Sequence, residues 1–130
     1  TPAALGAAWK DGMPDLRVRI RLNGDWFGEP AANEDTVFNF PQIIEHLART
    51  RDLGAGSIVG AGTISNADPR SGSACITEAR VRAQLGGAPE ADLPRYLRHG
   101  DRVTIEAVGA DPSDALFGVI DQRVDVRGRR

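Results

Sequence analysis

The fold is decided by the stretch Asp15-Leu16-Arg17-Val18-Arg19-Ile20-Arg21-Leu22-Asn23-Gly24. Its aliphatic residues alternate strictly with arginines, which is the pattern of a β-strand with one apolar, buried face and one polar face. The pair Asn23-Gly24 favours a type I′ turn, so a second, antiparallel strand is expected over residues 25–27. The stretch therefore predicts a β-hairpin whose apolar face belongs to a protein core.

The polar face of this strand carries Arg17, Arg19 and Arg21. Three guanidinium groups on one face could bind phosphate or carboxylate groups of a ligand. The simpler interpretation is a solvated sheet face, or arginines paired with neighbouring carboxylates. The pattern favours this second interpretation.

Downstream of the hairpin, the sequence predicts one main helix. Asn39 can cap its first turn, Gln42 stands three residues later as in a capping box, and Pro41 lies where its missing N–H does no harm. The helix would present one apolar face, made of Ile43, Ile44, Leu47 and Ala48.

The rest of the chain is expected to be mostly β. We predict a buried strand over residues 58–64, a long strand over 73–84, and final strands over 103–108 and 115–126. Residues 111–114, Asp-Pro-Ser-Asp, would form the last hairpin turn. Fifteen glycines, eight prolines and only 5% aromatic residues also favour a turn-rich β architecture over a helical bundle.

The length and net charge of the chain limit its possible functions. The 130 residues suit a single domain over residues 1–126, or the C-terminal portion of a larger catalytic domain, followed by a basic tail over 127–130. A net charge of −2 argues against a nucleic-acid or acidic-membrane binder. Cys75 has no second cysteine to pair with, which favours a reducing, cytoplasmic compartment.

The candidate binding segment is Gly54-Ala55-Gly56-Ser57-Ile58-Val59-Gly60-Ala61-Gly62-Thr63-Ile64-Ser65. Glycines let the backbone approach a ligand closely, and a rigidly held hydroxyl such as that of Thr63 can donate to a carboxylate. From the residues alone, a bulge or tight turn explains the segment equally well. Zinc spacing, a phosphate-loop lysine and a serine-nucleophile elbow are all missing from the sequence.

The order of several motifs resembles the fumarylacetoacetate hydrolase family. The motifs are Leu53-x-x-Gly56, Gly62-Thr63-Ile64-Ser65, Ser71-Gly72-Ser73-Ala74-Cys75-Ile76, the run from Leu97 to Glu106, and the run from Leu116 to Gln122. The resemblance spans about residues 5–124 and is to the C-terminal part of the family's catalytic domain.

This resemblance implies an α+β, mostly β fold: a mixed, largely antiparallel, barrel-like rolled sheet with one main helix. It implies a hydrolase or decarboxylase that breaks a carbon–carbon bond of a β-keto or diketo acid, usually as a homodimer. The resemblance implies that the metal, Mg²⁺ or Mn²⁺, is held by carboxylates of a Glu-x-Glu motif and flanking aspartates, with a lysine somewhat further along the chain, and none of these matches here. We therefore expect the complete enzyme to bind the metal with residues outside this chain, supplied by a missing N-terminal part, and this chain alone to bind none.

The resemblance also supplies the candidate site residues. Gly62 and Thr63 fall on the family's Gly-Thr element, where the threonine helps hold the substrate carboxylate or keto oxygen. Glu78 is a catalytic candidate, because some hydrolytic members place a glutamate near this position to orient a water-activating histidine. That match needs an offset of two residues, and an exposed strand carboxylate is the simpler interpretation of Glu78.

Two functions remain open from the sequence. One is the C-terminal part of a metal-dependent enzyme of this family, acting on a small keto acid without nucleic-acid or membrane partners. The alternative is a non-catalytic, β-rich interaction module that uses the strand over residues 15–22. The enzymatic interpretation explains the ordered match over most of the chain, whereas the module explains the missing metal ligands.

Overall fold

The computed structural model describes residues 5–109 and 117–125. In these ranges the elements are β1 (Trp9–Lys10), β2 (Met13–Pro14), β3 (Arg17–Leu22), β4 (Asp25–Gly28), α1 (Phe40–Ala48), α2 (Ile76–Leu85), β5 (Arg102–Val108) and β6 (Val119–Arg123). Short 3-10 turns cover Gly6–Ala8, Pro69–Ser71 and Glu90–Asp92. The hairpin turn predicted at 111–114 and the basic tail predicted at 127–130 lie outside the described residues.

The main sheet is antiparallel, with strand order β4-β3-β5-β6. The β3–β4 turn confirms the predicted hairpin, since Asn23 and Gly24 have φ values of 55° and 93°, as a type I′ turn requires. The long partner of β3 is β5, in a register that pairs Arg17 with Val108 and Leu22 with Val103. The hairpin thus forms one half of the sheet, and the C-terminal strands form the other.

The sheet is open in the part of the chain that the structure describes. Closing it into a barrel would require β4 to pair with β6, and these two strands lie at opposite edges. Strands β1 and β2 form a separate two-stranded sheet. The architecture is therefore α+β with antiparallel sheets, and the predicted barrel-like closure is not observed in these residues.

Helix α1 begins where the sequence predicts. The Asn39 side chain accepts a hydrogen bond from the Gln42 backbone at 3.0 Å, and the Gln42 side chain accepts one from the Asn39 backbone at 2.9 Å. This reciprocal capping box satisfies two N–H groups that the first turn leaves without helical partners. Trp9 stacks on Phe40 with ring centroids 6.0 Å apart, which joins β1 to the start of the helix.

The strand predicted over residues 73–84 is wrong, because residues 76–85 form helix α2. The β-branched pair Ile76-Thr77 resembles a strand, but the residues that follow, from Glu78 to Leu85, are mostly good helix formers. Glu78 and Arg82, four residues apart, form an ion pair that only a helix brings together. The described chain therefore has two helices rather than one.

The buried strand predicted over residues 58–64 is also wrong. These residues form no strand with any part of the described chain, and Ile58 is 97% exposed. Gly56 and Gly62 have φ values of 90° and 84°, which break the regular extended geometry that a ladder needs.

The core is small and lies against β3. Leu16 and Ile20 from the predicted apolar face are buried, together with Met13 and Leu93. Val18 and Leu22, from the same face, are half-buried. None of the described helices is both long enough and apolar enough to cross a bilayer.

Candidate functional site

The Gly-Thr segment, residues 54–65, presents an exposed threonine. Gly62 has a φ of 84°, and a side chain at this position would meet no atom within 4 Å. Glycine is therefore suited here by its backbone conformation and not by crowding. Thr63 follows directly and is exposed to solvent. A small acid can approach this backbone and this hydroxyl without displacing other parts of the described chain.

The segment is hydrogen-bonded to α2 through Ser65, two residues after Thr63. The Ser65 hydroxyl donates to Oε1 of Glu78 at 2.6 Å, and the Ser73 hydroxyl donates to Oε2 of the same carboxylate at 3.2 Å. Glu78 lies in the first turn of α2, where the positive end of the helix dipole favours a carboxylate. One carboxylate therefore joins the loop before α2 and the end of the Gly-Thr segment.

Arg82 completes this connection from the next turn of α2. Its Nη2 atom lies 2.7 Å from Oε1 of Glu78 and donates to the Ser65 hydroxyl at 3.1 Å and to the Asn66 carbonyl at 2.7 Å. We call the set Ser65, Glu78 and Arg82 the Glu78 clasp. Because Arg82 reaches a backbone carbonyl as well as a side chain, the clasp holds the main chain itself.

Asn66 fixes the segment on its other side. Its side chain is buried, accepts a hydrogen bond from the Ala31 backbone at 2.7 Å and donates to the carbonyls of Ala31 and Glu34 at 3.2 and 3.1 Å. Asp35, which has a φ of 56°, accepts a hydrogen bond from the Ala67 backbone at 2.8 Å. The chain directly after Thr63 is therefore held between α2 and the loop that follows β4.

A close contact between two glycines fixes the position of the loop before α2 against β4. Gly28 of β4 forms an antiparallel bridge with Gly72, and the Glu29 backbone donates to the Ser71 carbonyl at 2.7 Å. A side chain on Gly28 would lie 2.3 Å from the Ser73 carbonyl oxygen. Because Gly28 has no side chain, the loop before α2 can approach β4 closely. In this position the buried Ser73 lies beside Glu78.

Across the described ranges, the structure connects two of the predicted site residues, Thr63 and Glu78, only through Ser65. Ser65 is hydrogen-bonded to Glu78. Because Thr63 is two residues before Ser65, the Cα atoms of Thr63 and Ser65 are at most about 7 Å apart. Glu78, however, lies on a helix and not on the predicted strand. In the described residues its partners are Ser65, Ser73 and Arg82, and neither His46 nor His99 is among them.

Three residues around the site were not predicted from the sequence: Ser65, Asn66 and Arg82. The signal for Arg82 was the four-residue spacing from Glu78, which is meaningful only once residues 76–85 are assigned as a helix. Ser65 was quoted as the end of the Gly-Thr motif without a role. Nothing in the local sequence identifies the partners of the Asn66 side chain, because they lie more than 30 residues away.

The arginine face of β3 is paired with carboxylates, as the simpler interpretation predicted for Arg17 and Arg19. Arg19 donates to Glu29 at 2.7 Å and lies 3.8 Å from Glu106. The hydrogen bond and negative charge of Glu29 raise the pKa of Arg19 above its usual range. Arg17 lies 3.8 Å from Glu34. These pairs leave a ligand role for this face without support.

The described residues do not fit a metal centre. Three aspartates are each bound by an arginine: Asp68 by Arg70, Asp101 by Arg95 and Asp121 by Arg102. Hydrogen bonds from Arg70 lower the pKa of Asp68 to about 2. Within residues 5–109 and 117–125, no three His, Cys, Asp or Glu side chains gather to hold an ion.

Two comparisons relate this chain to known proteins. A family model described as fumarylacetoacetate (FAA) hydrolase C-terminal matches residues 1–125. The oxaloacetate tautomerase YisK of Bacillus subtilis is 29% identical over 96 residues, which cover 72% of this chain and 25% of that protein. The match thus spans about a quarter of the length of this curated relative.

Proposed function

This chain belongs to the fumarylacetoacetate hydrolase family, and from that premise we propose that it forms the C-terminal part of an enzyme acting on β-keto or diketo acids. The reaction is hydrolysis of a carbon–carbon bond or decarboxylation. The observation that carries the proposal is the exposed Gly62-Thr63 pair, anchored at its C-terminal end by the Glu78 clasp.

Thr63 binds the substrate in this proposal. Its hydroxyl donates to a carboxylate or keto oxygen, and a hydrogen bond to a charged group contributes about 1.5–3 kcal/mol. The space around Gly62, the residue before Thr63, is open, because a side chain there would meet no atom within 4 Å. The fixed backbone after Thr63 supports the geometry, since a hydroxyl is useful in binding only where its position is held.

The relative supports the substrate class. Oxaloacetate, which the name of the Bacillus protein gives as its substrate, is a keto diacid. Tautomerisation moves a proton at the carbon between the two carbonyl groups, and hydrolysis and decarboxylation of such acids likewise develop charge on that carbon. Tautomerisation therefore joins hydrolysis and decarboxylation among the reactions that should be assayed.

A divalent cation belongs to the proposal, since members of the family generally depend on one. Mg²⁺ or Mn²⁺ would supply Lewis-acid polarisation of the keto oxygens when bound. The described residues do not fit it, so we assign the ligands to residues outside this chain and derive no step from them. Glu78 receives no proton-transfer step either, because no described histidine contacts it.

A cytoplasmic homodimer completes the proposal. Family members usually pair, and several large apolar side chains of the described chain are more than 80% exposed, namely Val37, Ile58 and Leu85. Such exposure favours burial against another surface. Light scattering of the full-length protein measures its mass, and a monomer at micromolar concentration would contradict the dimer.

The substrate role is tested by replacing Thr63 in the full-length protein. We expect Thr63→Val to lower kcat/KM for oxaloacetate or an acylpyruvate by roughly 10- to 100-fold, the equivalent of one hydrogen bond to a charged group. Thr63→Ser keeps the hydroxyl and should stay within about threefold of the unmodified protein. Thr77→Val, at an exposed threonine of α2, is the matched control and should change nothing.

Two results would overturn these assignments. An unchanged kcat/KM in Thr63→Val would remove Thr63 from the binding site. If the unmodified protein shows no turnover of any keto acid with Mg²⁺ or Mn²⁺, the enzymatic proposal fails, and the non-catalytic interaction module becomes the better explanation.

A further inference from the structure

We propose that Glu78 is a positioning residue that acts on the substrate only through Ser65, by holding Thr63 in its binding position. This inference rests on the proposed function, because it concerns the same keto-acid site. It assigns Glu78 a different task from the proton-transfer or histidine-orienting role that its carboxylate first suggests.

The first observation is that both oxygens of the Glu78 carboxylate are in contact with other side chains. One oxygen accepts from Ser65 and lies against Arg82, and the other accepts from Ser73. The Glu78 side chain is only 22% exposed. Both oxygens of this carboxylate are therefore occupied by contacts within the chain, and one of these contacts fixes Ser65.

The second step is the lack of other attachments on the Gly-Thr segment. In the described chain, residues 58–64 make no hydrogen bond or ion pair. The first fixed point after Thr63 is Ser65, followed by the Asn66 backbone, and both are bound by Arg82. The buried Asn66 side chain holds the next residue along, so the Glu78 clasp is the hold nearest to the Thr63 hydroxyl.

The third step is the geometry of α2. Glu78 and Arg82 lie one helical turn apart, so the rigid helix sets the spacing of the two groups that grip Ser65. Arg82 donates to the Ser65 hydroxyl while that hydroxyl donates to Glu78. The three side chains form a closed ring of contacts, and removal of any one member opens it.

A first experiment tests the clasp without any substrate. Backbone amide order parameters are measured by NMR relaxation on the perdeuterated full-length protein. In Glu78→Ala we expect the value at Thr63 to fall below about 0.6, the range of flexible backbone. Glu45→Ala removes a similar pair, Glu45–Arg49 at 2.6 Å on α1, and should leave Thr63 unchanged. An unchanged Thr63 in Glu78→Ala would overturn the inference.

A second experiment measures coupling between Thr63 and Glu78 in a double-mutant cycle. We expect Glu78→Ala to lower kcat/KM about tenfold or more, and Thr63→Val to cost less than about threefold in that background, because the hydroxyl is already displaced. A purely structural role of Glu78 would leave the full 10- to 100-fold effect of Thr63→Val intact, and that result would contradict the proposal.

The conservative variant separates positioning from proton transfer. The amide oxygen of Gln in Glu78→Gln still accepts the Ser65 hydrogen bond but cannot act as a base, so kcat/KM should stay within about threefold with an unchanged pH profile. Loss of activity in Glu78→Gln with a fully ordered Thr63 would assign Glu78 a catalytic role and overturn the inference. If the unmodified protein turns over no keto acid, the proposed function fails, while the order-parameter experiment still decides on the clasp.

Discussion

Asp101 shows how one residue connects distant parts of this chain. The residue is 8% exposed, and its carboxylate accepts two hydrogen bonds from Arg95 at 2.6 and 2.8 Å. It also accepts from the Arg98 backbone at 2.6 Å and from the Asn23 side chain at 2.9 Å. The turn between β3 and β4 is thereby tied to the start of β5, independently of the sheet ladder.

This arrangement predicts a specific loss of stability in acid. The hydrogen bonds from Arg95, Arg98 and Asn23 hold the pKa of Asp101 well below its usual range. A carboxyl whose pKa is lower in the folded than in the unfolded state stabilises the fold above its unfolded value of about 3.9, and this contribution is lost progressively as pH falls toward the folded value. Urea midpoints of the unmodified protein should therefore drop from pH 7 to pH 3 by more than those of Asp101→Asn.

The control for this experiment is Asp52→Asn, at an exposed aspartate. Its urea midpoints should follow those of the unmodified protein at every pH. Parallel curves for Asp101→Asn and the unmodified protein would show that Asp101 contributes no pH-dependent stability.

At the residue scale, the sequence predicts the local conformation of a residue such as Asn23, but it does not predict its distant hydrogen-bond partners. Asn23 was predicted as a turn residue because Asn-Gly pairs populate left-handed backbone. Its side-chain bond to Asp101, 78 positions away, depends on the pairing of β3 with β5, and no local pattern specifies that pairing. For the same reason Thr63 could be singled out as a candidate, whereas the partners of the neighbouring Asn66 could not.

At the scale of elements, the contact between Gly28 and Gly72 carries a stability prediction. A methyl group in Gly28→Ala would lie 2.3 Å from the Ser73 carbonyl oxygen, so the backbone of β4 or of the loop before α2 must move. Because forced overpacking costs roughly 1–3 kcal/mol, we expect a loss of about 3 kcal/mol in the free energy of unfolding. Ser73 would also move away from Glu78.

Gly60→Ala is the matched control for this substitution. Gly60, like Gly28, does not have a positive φ, and a side chain there would meet no atom within 4 Å. Its free energy of unfolding should change by no more than about 0.5 kcal/mol. Urea denaturation of the two variants provides the comparison, and equal stabilities would contradict the crowding argument.

The correctly predicted elements have local sequence signals, such as capping residues. The elements that were predicted wrongly depend on contacts with distant parts of the chain. The capping residues of α1 identify its start whatever surrounds it. Helix α2 lacks a side-chain cap on Cys75, and its β-branched first residues favour a strand. Residues 58–64 have the composition of a buried strand, but no strand of the described chain pairs with them. Composition does not show whether a partner strand exists.

At the scale of the whole molecule, the described part has a limited core and an open sheet. Few large side chains are buried, and the edge strand β6 is exposed along its whole length. The barrel-like sheet that the family resemblance implied is a property of strands that must meet edge to edge. Alternation within single strands predicts their faces and neighbours, but it does not predict how the edges of a sheet are covered.

Three carboxylates that line a cavity bordered by Asn66 give the last prediction, which concerns the metal. Glu29, Glu34 and Asp68 line a shallow cavity of about 380 Å³ that Asn66 also borders. Each of the three is paired with an arginine: Arg19, Arg17 and Arg70, respectively. Because these carboxylates already have cationic partners and hard cations require several unpaired oxygen ligands, we expect none of them to hold the cation.

Metal removal tests this assignment in the full-length protein. Treatment with EDTA should abolish turnover of the keto acid, and Mg²⁺ or Mn²⁺ should restore it. Glu29→Gln and Asp68→Asn should leave the apparent Kd for Mn²⁺ within about twofold of the unmodified protein, because both carboxylates are paired with arginines and we assign the ligands to residues outside this chain. A tenfold weaker Kd in either variant would place a metal ligand in the described chain, and full activity in EDTA would contradict a metal-dependent reaction altogether.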